Sequence, residues 1–234
     1  MIDTAESVRR VLAANMPVLC VDTCVLLDLI RGPTREQFND KHAEAALNLL
    51  GRVEAASPTL TLLIAEQVER ELNDNAASVL ADSERQIKKV DKMINRFIGA
   101  FGAVGISLPA APNFIVPGFP AAAHSIVQRF LASALIVREE PVFPERAWVR
   151  VQHATAPAAR GKQSMKDCVI IETYLHVVQQ LRATGFAGKV VFFTTNTKDY
   201  AEGATPRLHS DLTADFSRLG LDFETSVLAV RYSL

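Results

Sequence analysis

Four acidic residues stand where alternating strands and helices would bring charge to one place: Asp22, Glu71, Asp167 and Asp199. Asp22 ends the apolar run Val18–Val21, which does not alternate and so reads as a short strand buried on both faces. Glu71 falls in the helix after the Thr- and Leu-rich run 58–64, Asp167 in the first turn of a helix opened by Ser164, and Asp199 in the polar turn after Val190–Phe193. Parallel strands point their carboxyl ends to one edge of a sheet, where open α/β folds bind ligands. Carboxylates gathered there repel one another unless a cation or protons neutralise them. Mg2+ and Mn2+ prefer such oxygen donors and keep waters that can serve as nucleophiles.

Each of these residues also has a plainer use. Asp22 suits a helix N-cap, Ser164-x-x-Asp167 suits a capping box, and Asp199 suits a turn. Glu66, Glu69 and Glu71 share one helix, and Glu69 lies about 200° from Glu71 at ~100° per residue, so at most one of that pair faces a common site. Glu172, in the middle of its helix, is a further candidate.

The elements that must position these groups follow from periodicity. A short helix spans 1–15, and the helix after Asp22 ends at Gly32-Pro33. Apolar residues recur at helical spacing over 35–54, and a helix over 66–77 follows the second strand. Residues 78–160 interrupt the alternation with a basic helix at 85–96, a Gly/Pro-rich stretch at 99–120, helices at 121–137 and 145–153 and a linker at 154–161. The alternation resumes with a helix at 164–181, a strand at 188–194, a helix near 211–219 and a final strand near 226–230. The expected fold is α/β: a three-layer α/β/α sandwich with a mainly parallel central sheet, one domain over 1–234, and a mostly helical insertion at 78–160.

Composition narrows the classes. The 234 residues are 49% hydrophobic and 22% charged, enough for a sizeable core. A formal net charge of -1 excludes a generally basic coat for nucleic acid, though not a local basic groove. Cys20, Cys24 and Cys168 are odd in number and lack zinc spacing, which points to free thiols in a reducing cytoplasm. No secretory signal is visible, and the most apolar tract, 97–123, is broken by four prolines, so no membrane partner is expected. Without G-x-G-x-x-G or Walker A sequences, dinucleotide and P-loop readings lack a phosphate cradle. A haloacid-dehalogenase-type phosphatase resembles the first strand, but Cys24 stands where it needs a second Asp.

Four segments taken together resemble the motifs of the PIN-domain nucleases. Val-Asp22-Thr-Cys-Val-Leu-Leu-Asp-Leu-Ile-Arg-Gly32 is similar to the first, and Ile64-Ala-Glu-Gln-Val-Glu-Arg-Glu71-Leu to the second. Lys166-Asp167-Cys-Val-Ile-Ile-Glu172 is similar to the third, and Thr194-Thr-Asn196-Thr-Lys-Asp199-Tyr200 to the T-x-N-x-x-D-[FY] form of the fourth. The resemblance covers about 16–77 and 161–230. It departs from the family in the long connection between Glu71 and Asp167, which resembles that of larger bacterial PIN-like proteins, and in Asn196, where many members carry Asp.

The resemblance implies a divalent-metal-dependent endoribonuclease, with Asp22, Glu71, Asp167 and Asp199 as Mg2+ or Mn2+ ligands. Thr23, Thr194, Asn196 and Glu172 would support them. An inactive PIN-like module that binds RNA or a protein is the alternative. A run without acids between Arg146 and Lys166 offers Arg146, Arg150, Arg160, Lys162 and Lys166 to an RNA backbone, with Trp148 as a stacking surface. A second cluster, Arg85, Lys88, Lys89, Lys92 and Arg96, is diluted by Glu84 and Asp91. DNA as substrate, an inhibitory protein partner and a homodimer remain open.

Overall fold

The computed structural model describes residues 1–35, 38–115, 117–159, 164–203 and 206–234. Helix α1 (Thr4–Ala14) is capped by Asp3, which accepts the Glu6 amide, and ends at Asn15 in the left-handed region. Strand β1 (Val18–Val21) is buried at every position, and Asp22 caps α2 (Thr23–Arg31). Gly32 ends α2 at φ 45°, and a Cβ there would lie 2.2 Å from the ring of Phe119, so glycine is required by both backbone and neighbour. After α3 (Asp40–Glu54), strand β2 (Thr61–Ala65) is again buried throughout.

Helix α4 (Glu66–Ala103) runs 38 residues without a break. The two helices expected at 66–77 and 85–96 are one, because no Gly or Pro occurs between 66 and 98 to stop it. The chain then forms α5 (Phe119–Ser133), β3 (Leu135–Val137) and α6 (Val142–His153). Helix α7 (Met165–Ala183) is apolar nearly all round and buries eleven residues. Strand β4 (Val190–Phe193), the short α8 (Thr197–Tyr200), the two-residue strands β5 (Ala201–Glu202) and β6 (Arg207–Leu208), and α9 (Ser210–Leu219) follow. The chain closes with β7 (Leu221–Glu224) and α10 (Val227–Ser233).

The central sheet has the order β3-β2-β1-β4-β7, and every neighbouring pair is parallel. Helix α7 packs with α1, α6 and α9, while α2 packs with α4 and α5, and α3 with α5 and α10. These groups of helices sandwich the sheet, as expected for the α/β class. Two details differ. Residues 78–160, expected as a mostly helical insertion, also supply Leu135–Val137 as the edge strand β3 on β2. The last strand is Leu221–Glu224, started directly by the left-handed Gly220 that ends α9, while the apolar run expected as a strand at 226–230 is helical. A short apolar run has no period that separates the two.

Candidate functional site

Strand β1 lies between β2 and β4, so the chain leaves it to opposite sides and a crevice opens at its carboxyl end. Asp22 sits there, its amide donating to the Phe193 carbonyl at 3.0 Å. Its Oδ1 accepts the Thr23 amide at 2.7 Å, and its Oδ2 accepts the Thr194 hydroxyl at 2.6 Å and the Cys24 thiol at 3.1 Å. The Thr23 hydroxyl donates to Glu71 Oε2 at 2.7 Å, and Gln67 one turn earlier on α4 donates to Glu71 Oε1 at 3.1 Å. Thr23 therefore links the first two carboxylates.

The loop after β4 is tied to the same point. Thr194 Oγ1 accepts the Asn196 amide at 3.0 Å while donating to Asp22, and the Asn196 side-chain amide donates to Asp199 Oδ2 at 2.8 Å. Two buried tyrosines fasten α7 to this edge. Tyr174 donates to the Val21 carbonyl at 2.6 Å and accepts the Ala65 amide at 3.1 Å, joining the ends of β1 and β2. Tyr200 donates to the Asp167 carbonyl at 3.1 Å, which brings the third motif beside the fourth.

Burial dominates the electrostatics. Asp22 is 2% exposed, and its carboxyl is held above the usual range by burial and further by the charge of Glu71, against the hydrogen bonds of Thr194, Cys24 and Thr23. Among the described residues, its polar partners are two threonines, a thiol and a second carboxylate, and none is a cation. The Tyr200 hydroxyl is pushed up by burial first and then by the charges of Asp22 and Asp167, which therefore share its surroundings.

A metal must be tested against these residues. Their carboxylate oxygens suit Mg2+ or Mn2+, and a buried carboxylate facing a second one without a cation is the environment such an ion relieves. Among the described residues no three His, Cys, Asp or Glu side chains are gathered closely enough to hold an ion as they stand. The carboxylates instead take up the donors of Thr23, Thr194, Cys24, Gln67 and Asn196, as mutual repulsion without a metal favours. Donor chemistry fits; the grouping is looser than a finished cage.

The supporting and basic residues divide. Glu172 is buried and forms an ion pair with Arg150, whose guanidinium also reaches Asp215 at 3.2 Å and the Ala156 carbonyl at 3.0 Å. With a side chain only 11% exposed, Arg150 is an internal brace between α6 and α7 and is not presented to an RNA backbone. Glu172 is likewise held by that pair. Arg146 and Lys166 are exposed, as is Trp148. Arg160 and Lys162 lie outside the described residues.

Two contributors lie inside the first motif without having been singled out as site residues. Cys24 bridges Asp22 to the loop after β4, accepting the Thr195 amide at 3.2 Å. Asp28, two turns along α2, accepts the Thr195 hydroxyl at 2.7 Å and pairs with Arg31 at 2.9 Å and with Arg35. Its spacing of six from Asp22 put it on the same helix, but nothing in the sequence showed which loop it would meet. A cavity of about 370 Å³ lies on the α2 side, lined by Val25, Leu26, Phe38, Phe130, Phe193 and Thr195 among others, but by none of the four candidate ligands.

No curated protein and no solved structure shows significant similarity to the sequence. A family model described as the PIN domain matches residues 19–200, a span that contains all four acidic motifs and the whole of the insertion. With the parallel sheet and the carboxylates at its carboxyl edge, that match places the chain in the PIN-domain family, whose members are generally nucleases.

Proposed function

We propose that the chain is a divalent-metal-dependent endoribonuclease whose ligands are Asp22, Glu71, Asp167 and Asp199. The observation that carries this reading is the buried Asp22 at the crevice, with no cation beside it among the described residues, joined through Thr23 to Glu71 and through Thr194 to the loop bearing Asp199. Bound among these carboxylates, Mg2+ or Mn2+ would supply a Lewis acid and an activated water for attack on a phosphodiester. The chain's own part is orientation. Thr23, Thr194 and Asn196 fix the carboxylates, and such supporting bonds typically change metal affinity or activity by about 10–100-fold. Exposed Lys166, next to Asp167 in the chain, would offer charge to the substrate backbone, as would exposed Arg146, which meets His176 farther along α7.

A second reading is an inactive module that binds RNA or a protein. It draws on Asn196, whose amide adds no charge to the fourth motif. One assay separates the readings: cleavage and binding of matched fluorescent RNA and DNA by wild type, Asp22→Asn and Asp167→Asn, with and without Mn2+. A nuclease cleaves only with metal and loses cleavage in both variants. RNA binding without cleavage by all three proteins establishes the module instead, and faster cleavage of DNA overturns the choice of RNA.

A further inference from the structure

Of the fourteen large apolar residues that are exposed among the described residues, nine lie between Val90 and Ile115. They belong to the outer part of α4 and the segment after it, away from the carboxyl edge of the sheet. At about 100° per residue, Val90, Met93, Phe97 and Phe101 fall within an arc of about 80°. The same bearing carries Val68, Leu72 and Val79, which are buried in the body. The helix therefore keeps its apolar face beyond the body: Ile94 and Ile98 stay half-buried on its flank, while Val90, Met93, Phe97 and Phe101 are exposed. Phe97 is 58% exposed and Val104 72%.

Charge is arranged around this stripe. Lys88, Lys89, Lys92 and Arg96, all exposed, fall within an arc of about 100° beside it. Asp91, the one acid from 88 to 103, lies off that arc. No Asp, Glu, Lys or Arg occurs from Phe97 through Gln128. The feature is thus a basic collar followed by an uncharged, phenylalanine-bearing projection.

We infer that this outer half of α4 is a peripheral docking surface for an anionic lipid membrane. An interfacial helix joins an apolar face to a Lys/Arg-rich one, and its affinity combines apolar burial with attraction to anionic headgroups. Two other occupants fit less well. A second copy would set one basic collar against another, with too few acids to pair them. A folded protein partner forms about one hydrogen bond per 100–200 Å² of interface, yet between 97 and 115 the only polar side chains are Ser107 and Asn113. A bilayer requires no such partners. The helix lies in the headgroup boundary, because irregular backbone such as that after Ala103 is not tolerated in hydrocarbon. The sequence expectation of no membrane partner concerned spanning segments; no described helix is long and apolar enough to cross a membrane, and a surface helix needs no such length.

The test is flotation of the full chain with vesicles of phosphatidylcholine alone or mixed equally with phosphatidylglycerol, at low and high salt. Wild type floats with the anionic vesicles, and high salt weakens this. Lys88→Gln/Lys89→Gln/Lys92→Gln lowers the partition roughly a hundredfold at low salt. Phe97→Ser/Phe101→Ser lowers it at least about tenfold at either salt. Because these side chains are exposed, unchanged circular dichroism is expected in both variants. As an independent reading, Phe101→Trp in a Trp148→Phe background shifts its emission to the blue on anionic vesicles. The inference is overturned if wild type stays unbound, if neutral vesicles bind it equally well, or if sedimentation shows a dimer that the Phe pair dissociates. None of these readings depends on nuclease activity.

Discussion

Asp22 is buried and held through both carboxylate oxygens, and its chemistry can be separated from its contribution to stability. Burial raises its folded pKa above the ordinary range of an aspartate, so acidification protonates the folded state before the unfolded one. Stability from this group therefore rises as pH falls from neutral, and the gain is complete near the unfolded value. Asp22→Asn should abolish metal-dependent cleavage, raise the melting temperature at neutral pH by about 2–4 °C per kcal/mol of relieved burial, and lose this acid-induced gain. Melting curves of both proteins against pH, without metal, check all but the first point. Metal should stabilise wild type by about 2.7 kcal/mol at a hundred times its dissociation constant, and Asp22→Asn much less. The place of Asp22 was legible because a carboxylate directly after an unbroken apolar strand falls at the carboxyl edge of the sheet, where it also caps the next helix. Arg150 was misread for the opposite reason: its burial depends on Glu172 and Asp215, and no spacing in its own helix reveals either. Arg150→Ala leaves Glu172 buried and unpaired, so it should cost about 3–5 kcal/mol in urea unfolding. Lys166→Ala should leave stability unchanged and weaken RNA binding with a shallower salt dependence.

At the level of elements, α7 governs the site more than any loop does. Its Tyr174 binds the ends of both β1 and β2, so α7 helps set the stagger of the strands that lead to Asp22 and Glu71. Tyr174→Phe strands the Val21 carbonyl and the Ala65 amide together and should cost about 1–3 kcal/mol. If positioning matters, metal affinity should fall as well, measured by Mn2+ titration of the melting temperature at a pH where wild type is fully folded. The alternation of strand and helix was readable outside the insertion, where buried strands are unbroken apolar runs and helices carry their own stops. Within 78–160 the reading was weaker. Nothing between 66 and 98 says where α4 leaves the body, and Leu135–Val137 becomes a strand because β2 offers it an open edge. That edge is a tertiary fact. The same holds at 226–230, where an apolar run of strand length is helical because β7 has already taken the sheet position beside β4.

At the scale of the whole molecule, the order β3-β2-β1-β4-β7 puts the earliest strand in the middle of the sheet. One neighbour of β1 follows about forty residues later, but the other, β4, is made about 170 residues later. The bond from Thr194 to Asp22 spans 172 residues. At a synthesis rate of ~5–20 residues/s, a ribosome needs roughly 10–30 s to extend the chain from one to the other. During that interval the nascent protein holds Asp22 and Glu71 but lacks Thr194, Asn196 and Asp199, and β1 has one bare edge. Such an edge is an invitation to wrong pairing, and long-range parallel pairing is slow to form. The same delay has a protective side. Under the proposed function, the cutting centre stays incomplete throughout that interval, while the message and the ribosomal RNA lie within reach.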